Sequence, residues 1–235
     1  MKGINTIQFV DTSDGSKTIY QETIGEHYHS RHGALGESKH VFVGMGLEHT
    51  LQGISALDQS QIRILEVGFG TGLNFLMSVD FLERRDPTHQ VQMDYLGVEA
   101  FPLPVEALEM LDYSKLVEES VWDPFIKSYP SALKQQIQIS DRINLQILPQ
   151  KIMETSWNGE FDLIYFDAFS ATHQPEMWTK EVLAHVTKNL AKGGVFVTYS
   201  ITGDLKRSLK GLGFSIEKLP GAAGKREMLR AVKEN

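Results

Sequence analysis

The chain contains no cysteine. That absence excludes a disulfide framework, a thiolate metal site and a cysteine nucleophile. It also lacks any apolar run of the ~20 residues that a membrane-spanning helix needs. The opening Met1-Lys2-Gly3-Ile4-Asn5-Thr6 has none of the apolar core of a signal peptide. The cytoplasm, a reducing compartment, is the expected setting, with no membrane partner. Positive charge is scarce as well, with 23 Lys and Arg against 30 Asp and Glu and a net charge of −7. Broad phosphate binding is disfavoured, although a local basic patch is still able to hold a nucleic acid.

What remains is ordinary globular material. The 235 residues are 41% hydrophobic and 23% charged, which fits one large domain with an appendage rather than a disordered chain. Residues 6–10 and 18–20 flank Asp14-Gly15 and predict a β-hairpin. The His-, Gly- and Tyr-rich stretch 25–46 is expected as a polar loop running into Val41-Phe42-Val43. From Ile62 onward, apolar runs at 62–67, 91–98, 143–148, 161–166 and 195–199 read as strands. Helical patterns over 74–83, 104–117, 177–191 and 204–209 separate them, with Gly193-Gly194 as the stop of the third. Residues 214–216 and 228–232 look like an antiparallel pair. The alternation predicts an α/β fold, a mostly parallel sheet with helices on both faces. Residues 1–60 are read as a hairpin and substrate-facing extension packed on a main domain of 61–235. A helical insertion, broken by Pro104, Pro124 and Pro130, is expected at about 103–138.

Ile64-Leu65-Glu66-Val67-Gly68-Phe69-Gly70-Thr71-Gly72-Leu73-Asn74 is a buried strand, a glycine turn and a helix start. Glycines let a ligand approach the backbone closely. No Lys-Ser/Thr pair comes after it, which excludes a triphosphate P-loop, and Leu73 stands where a dinucleotide fingerprint has its third Gly. Glu66 followed by Gly68, Gly70 and Gly72 resembles motif I of class I S-adenosyl-L-methionine (SAM) methyltransferases, a Rossmann-like fold. A tight turn without a ligand is the competing reading. The next strand ends at Glu99, where a carboxylate meets ribose hydroxyls in such sheets; a solvated strand-end Glu is its alternative. The fourth strand ends in Asp167-Ala168-Phe169-Ser170, which aims Asp167 at the same crevice. The alternative is a helix-capping Asp167 with Trp178 in the core.

Three separated blocks then carry a family resemblance. Asp167-Ala168-Phe169-Ser170 with Pro175-Glu176-Met177-Trp178-Thr179 is similar to the Asp-[Ala/Gly]-Phe…Pro-x-[Met/Leu]-Trp signature of MnmC-type methyltransferases. His27-Tyr28-His29-Ser30 through Gly33-Ala34-Leu35-Gly36-Glu37-Ser38-Lys39-His40-Val41-Phe42 resembles their N-terminal block. Gly221-Ala222-Ala223-Gly224-Lys225-Arg226-Glu227-Met228-Leu229 resembles their C-terminal Gly-x-x-x-Lys-Arg-Glu-Met. The resemblance implies methylation of the tRNA wobble uridine, turning 5-aminomethyl-2-thiouridine into 5-methylaminomethyl-2-thiouridine. It implies SAM as the methyl donor, bound by Glu66, Gly68, Gly70, Gly72, Asn74, Glu99 and Gln150. Asp167 is the implied catalytic residue. Tyr28, Ser30, Phe169 and Ser170 are implied to shape the uridine site, with Lys225 and Arg226 on tRNA phosphates. Many relatives fuse this domain to a flavin oxidoreductase; this chain resembles the standalone form, without flavin and without an obligate protein partner.

Two departures stand out. Ala171 comes after the acidic turn where many relatives have Pro, and Pro149-Gln150 replaces a Gly-Asp pair suited to the adenine amino group. Gln150 is then expected to accept through its amide oxygen. His27, His29, His32 and His40 lack a matched carboxylate pattern, so neutral histidines in a substrate-facing loop are expected rather than a metal site. Ser30 and Ser170 lack a nucleophile elbow. Two rivals remain open: an aminopropyltransferase of the spermidine synthase type, and a SAM-binding module without catalysis.

Overall fold

The computed structural model describes residues 7–56, 61–85 and 91–234. Residues 1–6, including the expected strand start at Thr6, and the expected boundary at residue 60 lie outside the described residues. β1 (Gln8–Asp11) and β2 (Lys17–Gln21) pair antiparallel across Asp14-Gly15, and β3 (Glu26–His27) adds a third strand. The expected loop up to Gly46 is largely helical instead. α1 (Ala34–Glu37) continues through a π-wound segment (Ser38–Glu48) into α2 (His49–Ala56). Val41, Phe42, Leu47 and Leu51 are buried there in one core with the sheet residues Leu163 and Tyr165. Gly46 permits this close approach, since a Cβ on it would lie 3.0 Å from Val197 Cγ2. Tertiary burial, not local propensity, makes this stretch helical.

The main sheet has eight strands. β4 (Gln61–Val67) leads through α3 (Leu73–Arg84) to β5 (Gln92–Val98). The insertion holds α4 (Val105–Met110) and α5 (Glu119–Ala132), with β6 (Ile137–Ser140) and β7 (Ile143–Leu148) next. β8 (Phe161–Phe166), α6 (Lys180–Thr187), β9 (Leu190–Thr198), α7 (Gly203–Gly211), β10 (Phe214–Pro220) and β11 (Glu227–Lys233) complete the chain. Their order is β10-β11-β9-β8-β4-β5-β7-β6. β7, β5, β4, β8 and β9 run parallel, while β6 and β11 run antiparallel to their neighbours. Successive strand residues face opposite cores: Ile62 and Ile64 join the α3–α5 side, Leu65 and Val67 the α6–α7 side.

Three further elements differ from expectation. α5 runs through Pro124 and Pro130 instead of breaking at them. Each interior proline costs about 3 kcal/mol, but buried Val121, Trp122, Phe125 and Tyr129 each return roughly 1.5–3 kcal/mol. Gly193-Gly194 lies within β9 rather than ending a helix, and α6 stops at Thr187. β6 occupies the end of the expected helical insertion, where Ile137 and Ile139 alternate as an edge strand requires. Among the described residues no helix is long and apolar enough to cross a membrane.

Candidate active site

The chain leaves β4 and turns at Gly68, Gly70 and Gly72, all with left-handed φ of 86°, 53° and 75°. β5 and β8 flank β4 on either side, so the turn sits where the strand order reverses, the usual ligand crevice of an open parallel sheet. Gly68 is required there. A Cβ on it would lie 2.5 Å from the backbone oxygen of Asp167. Thus the two strand ends touch, and the glycine loop and the acidic turn form one wall.

Glu99 closes the loop from β5. Its carboxylate accepts from Gly70 N at 2.9 Å and Phe101 N at 3.0 Å. Burial pushes its carboxyl above the usual range, and these two bonds pull it back. Each oxygen keeps a lone pair for a diol. Gln150 is exposed at the end of β7.

Glu66 and Asn74, expected as cofactor contacts, instead form a polar network below the loop. Asn74, in the first turn of α3, donates from Nδ2 to Glu66 Oε1 and to Asp167 Oδ2, both at 2.8 Å. Its Oδ1 accepts from Ser38 Oγ at 2.7 Å. Glu66 is 0% exposed and also accepts from Tyr95 OH at 2.9 Å. Burial drives its carboxyl well above the ordinary range. Glu66 and Asn74 therefore lie beneath the crevice, where Asn74 holds Asp167.

Asp167, one residue past β8, is a strongly perturbed carboxyl. Burial, with Glu37 and Glu26 adding to it, raises its pKa from 3.8 to about 8 against the opposing effects of Asn74 and Lys225. Beside it is a cavity of about 170 Å³ lined by Tyr28, Ser30, Glu37, Phe169, Tyr199 and Lys225 among others. Tyr28 and Phe169 pack edge to face with centroids 5.1 Å apart. A Cβ on Gly70 would meet Tyr28 Cδ1 at 2.8 Å, so this aromatic pair adjoins the glycine loop. Ser170 N donates to Glu26 Oε2 at 2.7 Å, tying the acidic turn to β3. Trp178 is buried and donates Nε1 to Phe169 O at 2.7 Å. A second cavity of about 190 Å³, lined by Arg63, Trp157 and Phe161, opens near the amino ends of β4 and β8, away from this chemistry.

Lys225 departs from its expected place. Its ammonium turns inward to pair with Glu37 Oε1, while Arg226 stays exposed. The histidines scatter: His29 Nε2 bonds Thr71 Oγ1 at 2.6 Å, and His40 Nε2 bonds Pro220 O at 2.7 Å. Burial pushes the His29 pKa down to about 4, so the ring is neutral. Among the described residues no group of three or more potential ligands is placed to hold a metal. Glu26, Glu37 and Tyr199 are site residues that the sequence does not single out. Glu37 stands inside a matched block and Tyr199 one residue past β9, but the contacts of Glu26 and Glu37 span 144 and 188 residues of the chain.

The raised Asp167 pKa has a stability consequence. The native state keeps a proton that the unfolded chain releases above 3.8, so stability falls as pH rises from 3.8 to about 8. Asp167→Asn removes that penalty. Its melting temperature relative to the parent should match near pH 4 and exceed it by several degrees near pH 8. Thermal melts across this range check it; a gap independent of pH rejects the assignment.

A family model described as S-adenosyl-L-methionine-dependent methyltransferase matches residues 117–234. The tRNA 5-methylaminomethyl-2-thiouridine biosynthesis bifunctional protein MnmC of Magnetococcus marinus is 32% identical over 244 aligned residues, covering 99% of this chain and 35% of that protein. The protein of the same name from Aromatoleum aromaticum is 32% identical over 235, covering 97% and 35%. The crystal structure of MNMC2 from Aquifex aeolicus superposes with a TM-score of 0.74 at 28% identity, covering 98% of this chain and 71% of that one. The chain thus spans about a third of the length (35%) of these curated relatives.

Proposed function

The chain belongs to a family of S-adenosyl-L-methionine-dependent methyltransferases, and from that premise we propose that it methylates the primary amine of 5-aminomethyl-(2-thio)uridine at the tRNA wobble position. The names of its relatives supply the substrate class. The observation that carries the reaction is Asp167, anchored by Asn74 between the glycine loop and the aromatic cavity.

The residues present fit SAM: a left-handed glycine turn at the carboxyl end of β4, and Glu99 with lone pairs to spare for a ribose diol. Gly68, Gly70, Gly72 and Glu99 would hold it, with Gln150 beside the base. SAM would supply there a methyl carbon activated on a sulfonium, with the neutral thioether as the leaving group for attack by the amine lone pair. Asp167 then has two tasks. Its carboxylate accepts an N–H bond that aligns the neutral amine, and it stabilises the positive charge growing on nitrogen. It also takes the proton that the ammonium sheds, a task suited to a carboxyl with a pKa near 8. Tyr28 and Phe169 flank the base, Ser30 and Ser170 border it, and exposed Arg226 meets a phosphate. Neither redox nor Lewis-acid chemistry enters methyl transfer to an amine, so flavin and metal have no role in this step. The enzyme acts in the cytoplasm on the anticodon arm.

Labelled SAM incubated with undermethylated bulk tRNA, with putrescine in a parallel reaction, tests the reading. Label should enter tRNA as 5-methylaminomethyl-(2-thio)uridine and leave putrescine untouched. Transfer to putrescine, or to neither, rejects it.

A further inference from the structure

We propose that Lys225 is a positioning residue of the acceptor site, fixing the Glu37 carboxylate and the charge balance around Asp167, and not a contact to a tRNA phosphate. The inference rests on the reading that Asp167 handles the acceptor amine.

Two contacts hold the lysine inward. Its ammonium pairs with Glu37, whose side chain is only 7% exposed. It also lies 3.7 Å from the centroid of the Tyr199 ring, a cation–π distance. Tyr199 in turn donates its hydroxyl to Ala168 O at 2.8 Å, one residue past Asp167. The other Glu37 oxygen accepts from Ser30 N at 3.2 Å, so the pair also pins the wall of the cavity. Swinging Lys225 out to a phosphate would strand a buried carboxylate, a loss larger than an exposed ion pair returns.

The charges facing Asp167 come from every surrounding element. Glu26 approaches from β3, Glu37 from the end of α1, and Glu66 from β4; the phenols of Tyr95 and Tyr199 approach from β5 and the end of β9. Among these described groups Lys225 is the cation. Glu37 and Glu26 oppose ionisation of Asp167, and Lys225 favours it. Glu37 and Lys225 act on Asp167 with opposite sign while bonded to each other. Removing one should therefore move Asp167 in the direction opposite to removing the other, and removing both should nearly cancel. A merely structural pair would not behave so. A phosphate-binding lysine would not either.

The test titrates Asp167 in the full chain by NMR of carboxyl-labelled aspartate, with the resonance assigned through its loss in Asp167→Asn. Lys225→Met should raise the midpoint by about one unit and Glu37→Gln should lower it by a similar amount, as expected for one charge within several ångströms. Lys225→Met combined with Glu37→Gln should return it close to the parent, and Lys225→Arg should leave it nearly unmoved. The acid limb of the single-turnover rate on amine-bearing tRNA should follow the same order. Affinity of Lys225→Met for bulk tRNA, and its salt slope, should match the parent. Midpoints unmoved by both single substitutions overturn the proposal. So does a loss of tRNA affinity with a salt slope shallower by about one unit. If the parent fails to methylate the tRNA, the proposed function falls, while the midpoints still decide the part played by Lys225.

Discussion

Asp167→Ala should slow methyl transfer by roughly 10²–10³-fold while leaving SAM affinity within a few-fold of the parent. Asn74 holds the side chain by a 2.8 Å bond at the residue before the cavity-lining Ala168, and its loss leaves the growing ammonium without a counter-charge. The backbone contributes separately: Asp167 N donates to Val67 O at 2.9 Å, and an alanine keeps that bond. Glu99 and the glycine turn, which carry the cofactor in the proposed reading, are untouched. Single-turnover methylation and SAM calorimetry on the same variant separate the two. A parental rate, or a loss of SAM binding in proportion to the loss of rate, would show that Asp167 does not serve the chemical step. Alkaline pH adds a check: part of the rate should return as the amine loses its proton unaided.

Gly68→Ala should weaken SAM binding by about 10²-fold or more. Its φ of 86° is strained for any residue with a Cβ, and that atom would stand 2.5 Å from the Asp167 backbone oxygen. Neither partner is a flexible side chain, so the loop or the strand end must shift. Strain and clash together amount to about 3 kcal/mol, which corresponds to roughly two powers of ten in affinity. Gly193→Ala is the control. It has a φ of 73° with nothing within 4 Å of the added atom, so it bears the strain without the clash and should bind SAM like the parent. Equal SAM affinity in Gly68→Ala and the parent, measured by calorimetry on folded protein, would remove the close-contact argument.

The parallel strands, the glycine turn and the acidic strand end at Asp167 are legible in the amino-acid sequence. Each is set by residues near in the chain: apolar runs for β4 and β8, glycines for positive φ, a carboxylate placed by the strand that precedes it. The helical stretch after Gly33 is not legible, because Gly36, Gly44 and Gly46 interrupt it and only the sheet beneath gives Phe42 and Leu47 a reason to be helical. Pro124 and Pro130 mislead for the same reason, their local cost being offset by burial of Trp122, Phe125 and Tyr129. Around Asp167 the division is sharper still. A carboxylate at the end of β8 facing a glycine turn follows from residues adjacent in the chain. The protonation of that carboxylate and the direction of Lys225 follow from packing. Asn74 lies 93 residues from Asp167, and Lys225 lies 188 residues from Glu37. A pKa and an ion pair depend on burial and on distances of a few ångströms, and such distances are set by packing between elements far apart in the chain.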